Sequence, residues 1–177
     1  MAKKLITLKR LPASMTRGMG RLLVADSYLD LALIQIIYDL IGVGQKEGRL
    51  AVREPRTVER LQLILDLAHV HGIKIAMDLK TLREALVKST SNRDLVSHGT
   101  WFREPDGGNL LVRRLRGSWP KDETGFATSR RIMPQGEFID EDELAIMLGL
   151  TEAAIEAVEE LHAQVRAGLA TSPRKPL

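Results

Sequence analysis

An arginine and a histidine five positions apart are the residues of this chain best suited to chemistry. Arg93 is directly followed by Asp94, and His98 comes four residues after that aspartate, just before Gly99. A guanidinium binds phosphate through a planar fork of N–H donors, and an imidazole gives or takes a proton near neutral pH. The segment Asn92–Trp101 therefore carries groups suited to proton transfer at a phosphate.

Helical geometry limits what this spacing allows. Arg93 and His98 lie about 140° apart around a helix and about 7.5 Å apart along it, so they do not share one stripe. Asp94 neighbours His98 on the helix surface, and we expect its carboxylate to accept the ring N–H and fix the tautomer. Arg93 continues the apolar spacing of Leu82 and Leu86, so it should point toward the bundle or a partner. A charge on such a seam is costly unless it is paired or functional.

The run from Arg93 to His98 resembles the hallmark of the HEPN family, which is an arginine, then Asn, Asp or His, three further residues and a histidine. The Gly99 and Trp101 that follow, and the turn sequence at 105–108, are similar to a bacterial or phage subgroup of these proteins. The resemblance spans about residues 18–165, although only the motif region is specific.

The resemblance implies a fold and a function. It implies a small helical bundle that acts as a metal-independent endoribonuclease, with Arg93, Asp94 and His98 as catalytic residues. The active form would be a homodimer in which two copies of Arg93 and His98 build one composite site on RNA. An antitoxin or another regulatory protein would be a further partner. The alternative is a non-catalytic RNA-binding or protein-interaction module that keeps the fold without the activity.

Composition supports a helical fold. The chain has 177 residues, of which 44% are hydrophobic and only 4% aromatic, so its core must be aliphatic. Such a core suits helix-on-helix packing. We predict a mainly α protein, a HEPN-like bundle of four to five helices with a short β-hairpin after the third helix. It would form a single domain over residues 1–170, followed by a flexible tail at 171–177.

Several classes of site are disfavoured. The chain has no cysteine, which excludes disulfides and thiolate metal sites, and its four histidines show no zinc-ligand spacing. We therefore expect neither a metal nor a cofactor. Lys9 and Arg10 break the N-terminal apolar stretch, so we expect no signal peptide and a cytoplasmic location.

Charge is unevenly distributed. Residues 137–160 hold nine acidic residues and no Lys or Arg, so the rest of the chain carries +12 within a total of +3. A basic body favours polyanion binding on one face. The alternative is two solvated faces that partly neutralise each other.

Apolar periodicity predicts the helices. The first runs from about residue 14 or 16 to 40 and is apolar nearly all round, but four polar residues between 26 and 39 argue against a membrane span. It should be a core or dimer-face helix, with Asp26 and Asp30 at a solvated edge. Further helices are expected at about 56–70, 78–98 and 141–169, the last with a possible break near Gly149. The basic stretch 46–56 reads as a loop.

A hairpin should follow Gly99. Residues 100–103 and 109–116 alternate around a Pro-Asp-Gly-Gly turn, and Trp101 is the expected anchor on the bundle. Arg113, Arg114 and Arg116 on the returning strand are candidate RNA-binding residues, because phosphates attract cations without regard to sequence. The alternative is an edge strand kept soluble by its charge.

Overall fold

The fold is mainly helical. The computed structural model describes residues 6–51, 56–103, 110–114 and 137–171. Within these ranges, it describes the backbone alone for residues 49–51, 111, 113, 114 and 137. The elements in chain order are β1 (Ile6–Thr7), α1 (Ala13–Ile41), α2 (Gln45–Ala51), α3 (Thr57–Val70), α4 (Leu79–His98), β2 (Gly99–Arg103), β3 (Leu110–Arg114), β4 (Glu137–Phe138) and α5 (Glu141–Thr171). Within these ranges, five helices and a small antiparallel sheet confirm the predicted helical bundle with a hairpin.

Two local expectations were wrong, and the predicted hairpin is part of a larger sheet. The stretch expected as a loop after residue 46 contains α2, and the strand pair is extended to four strands in the order β1-β2-β3-β4. Helix α5 continues through Gly149, where a Cβ would have no neighbouring atom within 4 Å, so the glycine faces open space. A single glycine weakens a helix without ending it when the residues on both sides are packed.

Helix α1 lies at the centre of the bundle and contacts α3, α4 and α5. Its inward side chains join those of the three neighbouring helices in one aliphatic core. Fully or almost fully buried members of that core are Leu29, Leu33, Ile36, Ile37, Ile64, Leu86, Val158, Leu161 and Val165. The inward apolar face of α1 is therefore core, which is one of the two roles that the sequence suggested, while Val24, Tyr28 and Leu31 are exposed.

A second apolar cluster attaches the sheet to the bundle. Trp101 on β2 stands opposite Val112 on β3, and both side chains are buried. They pack with Leu22 of α1, Val96 of α4 and Leu144 of α5. The predicted role of Trp101 as the anchor of the hairpin is confirmed, because an isolated two-stranded hairpin would be marginal without such packing.

Short strands complete the sheet on both sides of the hairpin. Strand β1 pairs with β2, with Ile6 opposite Arg103, and Leu8 N–H donates to the Trp101 carbonyl at 2.9 Å. Strand β4 pairs with β3, and Ile139 N–H donates to the Leu110 carbonyl at 3.1 Å. Both edges of the hairpin thus gain partners that are distant in sequence.

Some sequence predictions concern residues that the structure does not describe. The turn at 105–108, Arg116 and residues 172–177 of the expected tail lie outside the described residues. Within the ranges that are described, no helix combines the length and apolarity that crossing a bilayer requires.

Candidate functional site

Helix α4 fixes the position of the motif at its last turns. Asp78 caps the helix start, since its carboxylate accepts the N–H groups of Lys80 and Thr81 at 3.0 and 3.1 Å. The hydrogen bond from the Thr81 hydroxyl contributes most to lowering the pKa of the Asp78 carboxyl, and the two backbone hydrogen bonds act in the same direction. An aspartate at this position stabilises the helix start, because it satisfies N–H groups that have no partner within the helix.

Gly99 ends α4 and begins β2 without a left-handed turn. Its φ of −74° and ψ of 147° are extended, so glycine is not required by backbone conformation. It is required by space: a Cβ there would lie 2.1 Å from Val112 Cγ2 and 2.4 Å from the Leu95 carbonyl oxygen. The chain passes directly from the helix that carries Arg93 and His98 into the sheet, and the glycine permits this close approach.

Arg93 points into the bundle, as its place in the apolar spacing predicted. Its side chain is 33% exposed, but its Nε is shielded from solvent. That atom lies 3.1 Å from Asp94 Oδ1 and 3.5 Å from Oδ2 of Asp26 on α1. Neither contact has the alignment of a hydrogen bond, so we regard both as charge contacts.

Asp26 is the residue that the sequence interpretation misplaced. It was expected at a solvated edge with Asp30, yet it is only 7% exposed and faces α4. Burial raises the pKa of its carboxyl, while Arg93 and a hydrogen bond from Ser89 act in the opposite direction. Asp30 is also engaged, by Arg60 and by the Thr57 hydroxyl of α3. Both aspartates therefore join α1 to a neighbouring helix.

Asp94 is half-buried and contacts Arg93. The hydrogen bond that we expected it to accept from His98 is not formed between the described residues, so Asp94 does not orient the imidazole here. Asp94 contacts Arg93 instead of His98 because the guanidinium is charged and adjacent. Its contact with Asp26 also keeps Arg93 close to the helix.

His98 lies at the last position of α4 and is exposed to solvent. Its ring makes no hydrogen bond or ion pair with the described part of the chain. The imidazole is thus accessible, whereas the Nε side of the guanidinium five residues earlier lies against two carboxylates. The two side chains leave the same end of one helix on different faces, as helical geometry predicts.

The hairpin brings two of the three candidate RNA-binding arginines to this end of the molecule. In the register of the sheet, Arg114 stands opposite Gly99 and Arg113 opposite Thr100. Their backbone positions therefore follow directly from the end of α4. Arg116 lies outside the described residues, and the side chains of Arg113 and Arg114 do too.

A second charged cluster lies at the C-terminal end of α1. Asp39 accepts hydrogen bonds from Gln35 and Arg166, each at 2.9 Å, and its Oδ2 is 2.8 Å from Nε2 of His162 on α5. Burial opposes ionisation of Asp39, but the hydrogen bonds from His162, Arg166 and Gln35 prevail and lower the pKa of its carboxyl. This cluster is separate from the motif and binds α1 to α5.

Within the described ranges, no group of three or more histidine, aspartate or glutamate residues is arranged to hold a metal ion. Comparisons of the chain with protein-family models, with curated proteins and with solved structures found no match. Membership of the HEPN family therefore stays a prediction that rests on the residues from Arg93 to Trp101.

Proposed function

We propose that the protein is a metal-independent endoribonuclease of the HEPN type. The observation that carries this proposal is the contrast at the end of α4: His98 is exposed and makes no hydrogen bond with the described residues, while Arg93 is held by two carboxylates. An accessible imidazole suits proton transfer, and a guanidinium at the same end of the helix suits charge stabilisation at a phosphodiester.

The reaction uses the 2′-hydroxyl of the RNA itself. A neutral imidazole takes the proton of that hydroxyl as its oxygen attacks phosphorus. The P–O5′ bond breaks, and a protonated imidazole gives a proton to the leaving 5′ oxygen. The products are a 2′,3′-cyclic phosphate and a 5′-hydroxyl. Arg93 contributes positive charge beside the phosphoryl oxygens, which become more negative in the transition state.

One chain supplies a single histidine at this site, and the reaction needs a base and an acid. A homodimer packed along α4 would place two copies of His98 and Arg93 around one cleft, and a two-fold axis would make their roles equivalent. We therefore propose that the active species is a dimer. Arg113, Arg114 and Arg116 would bind the RNA backbone beside this cleft.

The central experiment compares Arg93→Ala and His98→Ala with two matched controls. Arg83 is an exposed arginine on the same helix, and His69 is an exposed histidine at the end of α3. We expect the two motif variants to lower RNA cleavage by about a hundredfold or more, and Arg83→Ala and His69→Ala to leave it unchanged. Gel analysis of a labelled RNA gives the rates, and circular dichroism establishes that each variant is folded.

The same assay tests the chemistry. Cleavage should persist in EDTA and leave a 2′,3′-cyclic phosphate end. Loss of cleavage on chelation, or equal rates for His98→Ala and His69→Ala, would refute the proposed mechanism.

A separate prediction concerns the arginines of the returning strand. Replacing Arg113 and Arg114 with alanine should weaken RNA binding and reduce the slope of log Kd against log salt. For single-stranded RNA the slope should fall by about 0.7 for each phosphate that the variant no longer neutralises. Fluorescence anisotropy at several salt concentrations measures this slope. If the slope is that of the parent protein, these arginines do not contact the RNA backbone.

The second candidate is a non-catalytic helical module. The observation in its favour is that Arg93 already contacts Asp26 and Asp94, which neutralise much of its charge within the protein. In that case Arg93→Ala would lower the stability of the protein and would change neither RNA binding nor RNA cleavage. A protein that binds RNA but releases no product over hours would support this alternative.

A further inference from the structure

The buried carboxylate of Asp26 contacts two residues of α4 that are one turn apart. Its Oδ2 lies 3.5 Å from Arg93 Nε, and its Oδ1 lies 3.4 Å from the Ser89 hydroxyl. Ser89 is fully buried, and Asp26 is nearly so. The helix at the centre of the bundle thus reaches the motif through one side chain.

The contact continues beyond α4. The Ser89 hydroxyl is 2.9 Å from the Thr151 hydroxyl of α5, and Thr151 Oγ1 is 3.1 Å from the Met147 carbonyl oxygen. Thr151 is fully buried as well. A chain of a carboxylate and two hydroxyls therefore joins α1, α4 and α5 inside the bundle.

The number of available hydrogens shows which hydrogen bonds Asp26, Ser89 and Thr151 can form together. The contacts of Asp26 with Ser89, of Ser89 with Thr151 and of Thr151 with Met147 need three hydrogens, and the two hydroxyls supply one each. If Asp26 is ionised, Thr151 donates to Ser89 and Ser89 donates to the carboxylate. If Asp26 is protonated, it supplies the third hydrogen and donates to Ser89. Ser89 then donates to Thr151, and Thr151 donates to the Met147 carbonyl.

The protonation state of Asp26 sets the charge beside Arg93. The charged groups near Asp26 are Arg93 and Asp94 on α4 and Asp30 on α1, while α5 contributes the neutral Thr151 through Ser89. An ionised Asp26 attracts the Nε side of the guanidinium. A protonated Asp26 leaves Asp94 as the remaining anionic contact of Arg93 among the described residues.

We propose that Asp26 is a positioning residue for Arg93, which it holds from α1 through the Nε side of the guanidinium while the exposed remainder of the side chain meets an RNA phosphodiester. The hydroxyl chain of Ser89 and Thr151 is the support of that carboxylate. This inference rests on the proposed function for its ligand, but the contact between Asp26 and Arg93 can be tested without any RNA.

The first test follows the Nε–H signal of Arg93 by NMR, assigned through its loss in Arg93→Lys. In the parent protein this signal should shift with pH as Asp26 titrates. In Asp26→Asn the component of this pH dependence that Asp26 contributes should be absent, so the total change of the signal with pH should be smaller than in the parent protein. Asp30→Asn is the matched control, because Asp30 lies one turn along α1 and contacts Arg60 instead. An unchanged signal in Asp26→Asn would overturn the proposal.

A second variant tests the chain without altering the carboxylate. Thr151→Val removes the acceptor that Ser89 uses when Asp26 is protonated, so it favours the ionised form. The midpoint of the Arg93 Nε–H titration should move to lower pH. A midpoint equal to that of the parent protein would refute the role of the Ser89 and Thr151 hydroxyls. Circular dichroism would show whether both variants are folded.

RNA gives the readout that separates the two proposals. A short 2′-O-methylated RNA cannot be cleaved, and its Kd for Asp26→Asn should be about five- to tenfold higher than for Asp30→Asn. Equal Kd values would contradict positioning of Arg93 toward phosphate. If the parent protein cleaves no RNA, the proposed function fails, and the NMR titration still decides whether Asp26 holds Arg93.

Discussion

Gly99 shows how one residue can determine the geometry of a site without taking part in it. The helix that carries Arg93 and His98 ends there, and the strand that holds Trp101 begins there. An added methyl group would meet both the Val112 side chain and the Leu95 carbonyl oxygen. The Val112 side chain is itself fully buried, and the helix backbone has little freedom to move, so neither can make room easily.

We predict that Gly99→Ala lowers the free energy of unfolding by about 2 kcal/mol, since overpacking against backbone costs about 1–3 kcal/mol. The matched control is Gly149→Ala in the middle of α5, where nothing lies within 4 Å of the new Cβ. That change should raise stability by about 0.5–1 kcal/mol, because alanine has the higher helix propensity. Urea denaturation measures both. Similar effects of the two substitutions would contradict the close approach at Gly99.

At the scale of the elements, α1 works through its aspartates as much as through its apolar residues. Asp26 contacts α4, Asp30 contacts α3 and Asp39 contacts α5, so each of the three packed helices receives one carboxylate. The aliphatic core supplies most of the driving force for packing, because it removes apolar surface from water. The buried and half-buried charges add direction, since an unpaired charge in the wrong register would be costly.

Asp39 gives a prediction about pH. Its pKa is lowered in the folded protein, so its contribution to stability is present above the unfolded value near 4 and is lost as pH falls through the folded pKa. We expect Asp39→Asn to destabilise the protein at pH 7 by about 1–2 kcal/mol, with the difference from the parent protein shrinking below pH 4. Urea denaturation over this pH range tests it.

The control for that experiment is Asp66→Asn. Asp66 also accepts a hydrogen bond at 2.9 Å from a glutamine four residues earlier, but it is exposed and has no cation beside it in the described structure. Its replacement should change stability by less than about 0.5 kcal/mol at either pH. If the two asparagine variants behave alike, the contacts of Asp39 with His162 and Arg166 do not contribute to stability.

At the scale of the whole molecule, the proposed dimer requires a particular face to be shared between two copies. The proposed composite site requires a two-fold axis beside the end of α4. The described surface also holds an apolar stripe on α1, formed by Val24, Tyr28 and Leu31, whose side chains are exposed. An axis along that stripe would leave Arg93 and His98 away from their counterparts, because Asp26 and Arg93 lie on the opposite side of α1.

The absence of cysteine from the sequence makes a clean test possible. Disulfides form when two Cα atoms come within about 7 Å, so a single introduced cysteine reports on its distance from its own copy. We predict that Ser97→Cys, on the exposed end of α4, gives a cross-linked dimer under mild oxidation and that Val24→Cys does not. Non-reducing electrophoresis gives the result. Cross-linking through Val24 alone would exclude the composite site.

The sequence by itself determined the elements that depend on local pattern. Apolar spacing located α1, α3, α4 and α5 to within a few residues, and the alternating residues after Gly99 predicted the hairpin. Helix α2 was missed because it is only seven residues long and carries Gly48. Short helices have too few repeats for periodicity to be seen.

Only the tertiary structure decided which polar residues meet. Asp26 and Asp30 look alike in the sequence, yet one faces Arg93 and the other Arg60, because each contact depends on how α1 packs against a different helix. The same holds for the choice of Asp94 between Arg93 and His98, and for strands β1 and β4, which pair with residues far away in the chain. Local pattern sets which face of a helix is apolar, but the partner of a buried charge is fixed by the packing of distant segments.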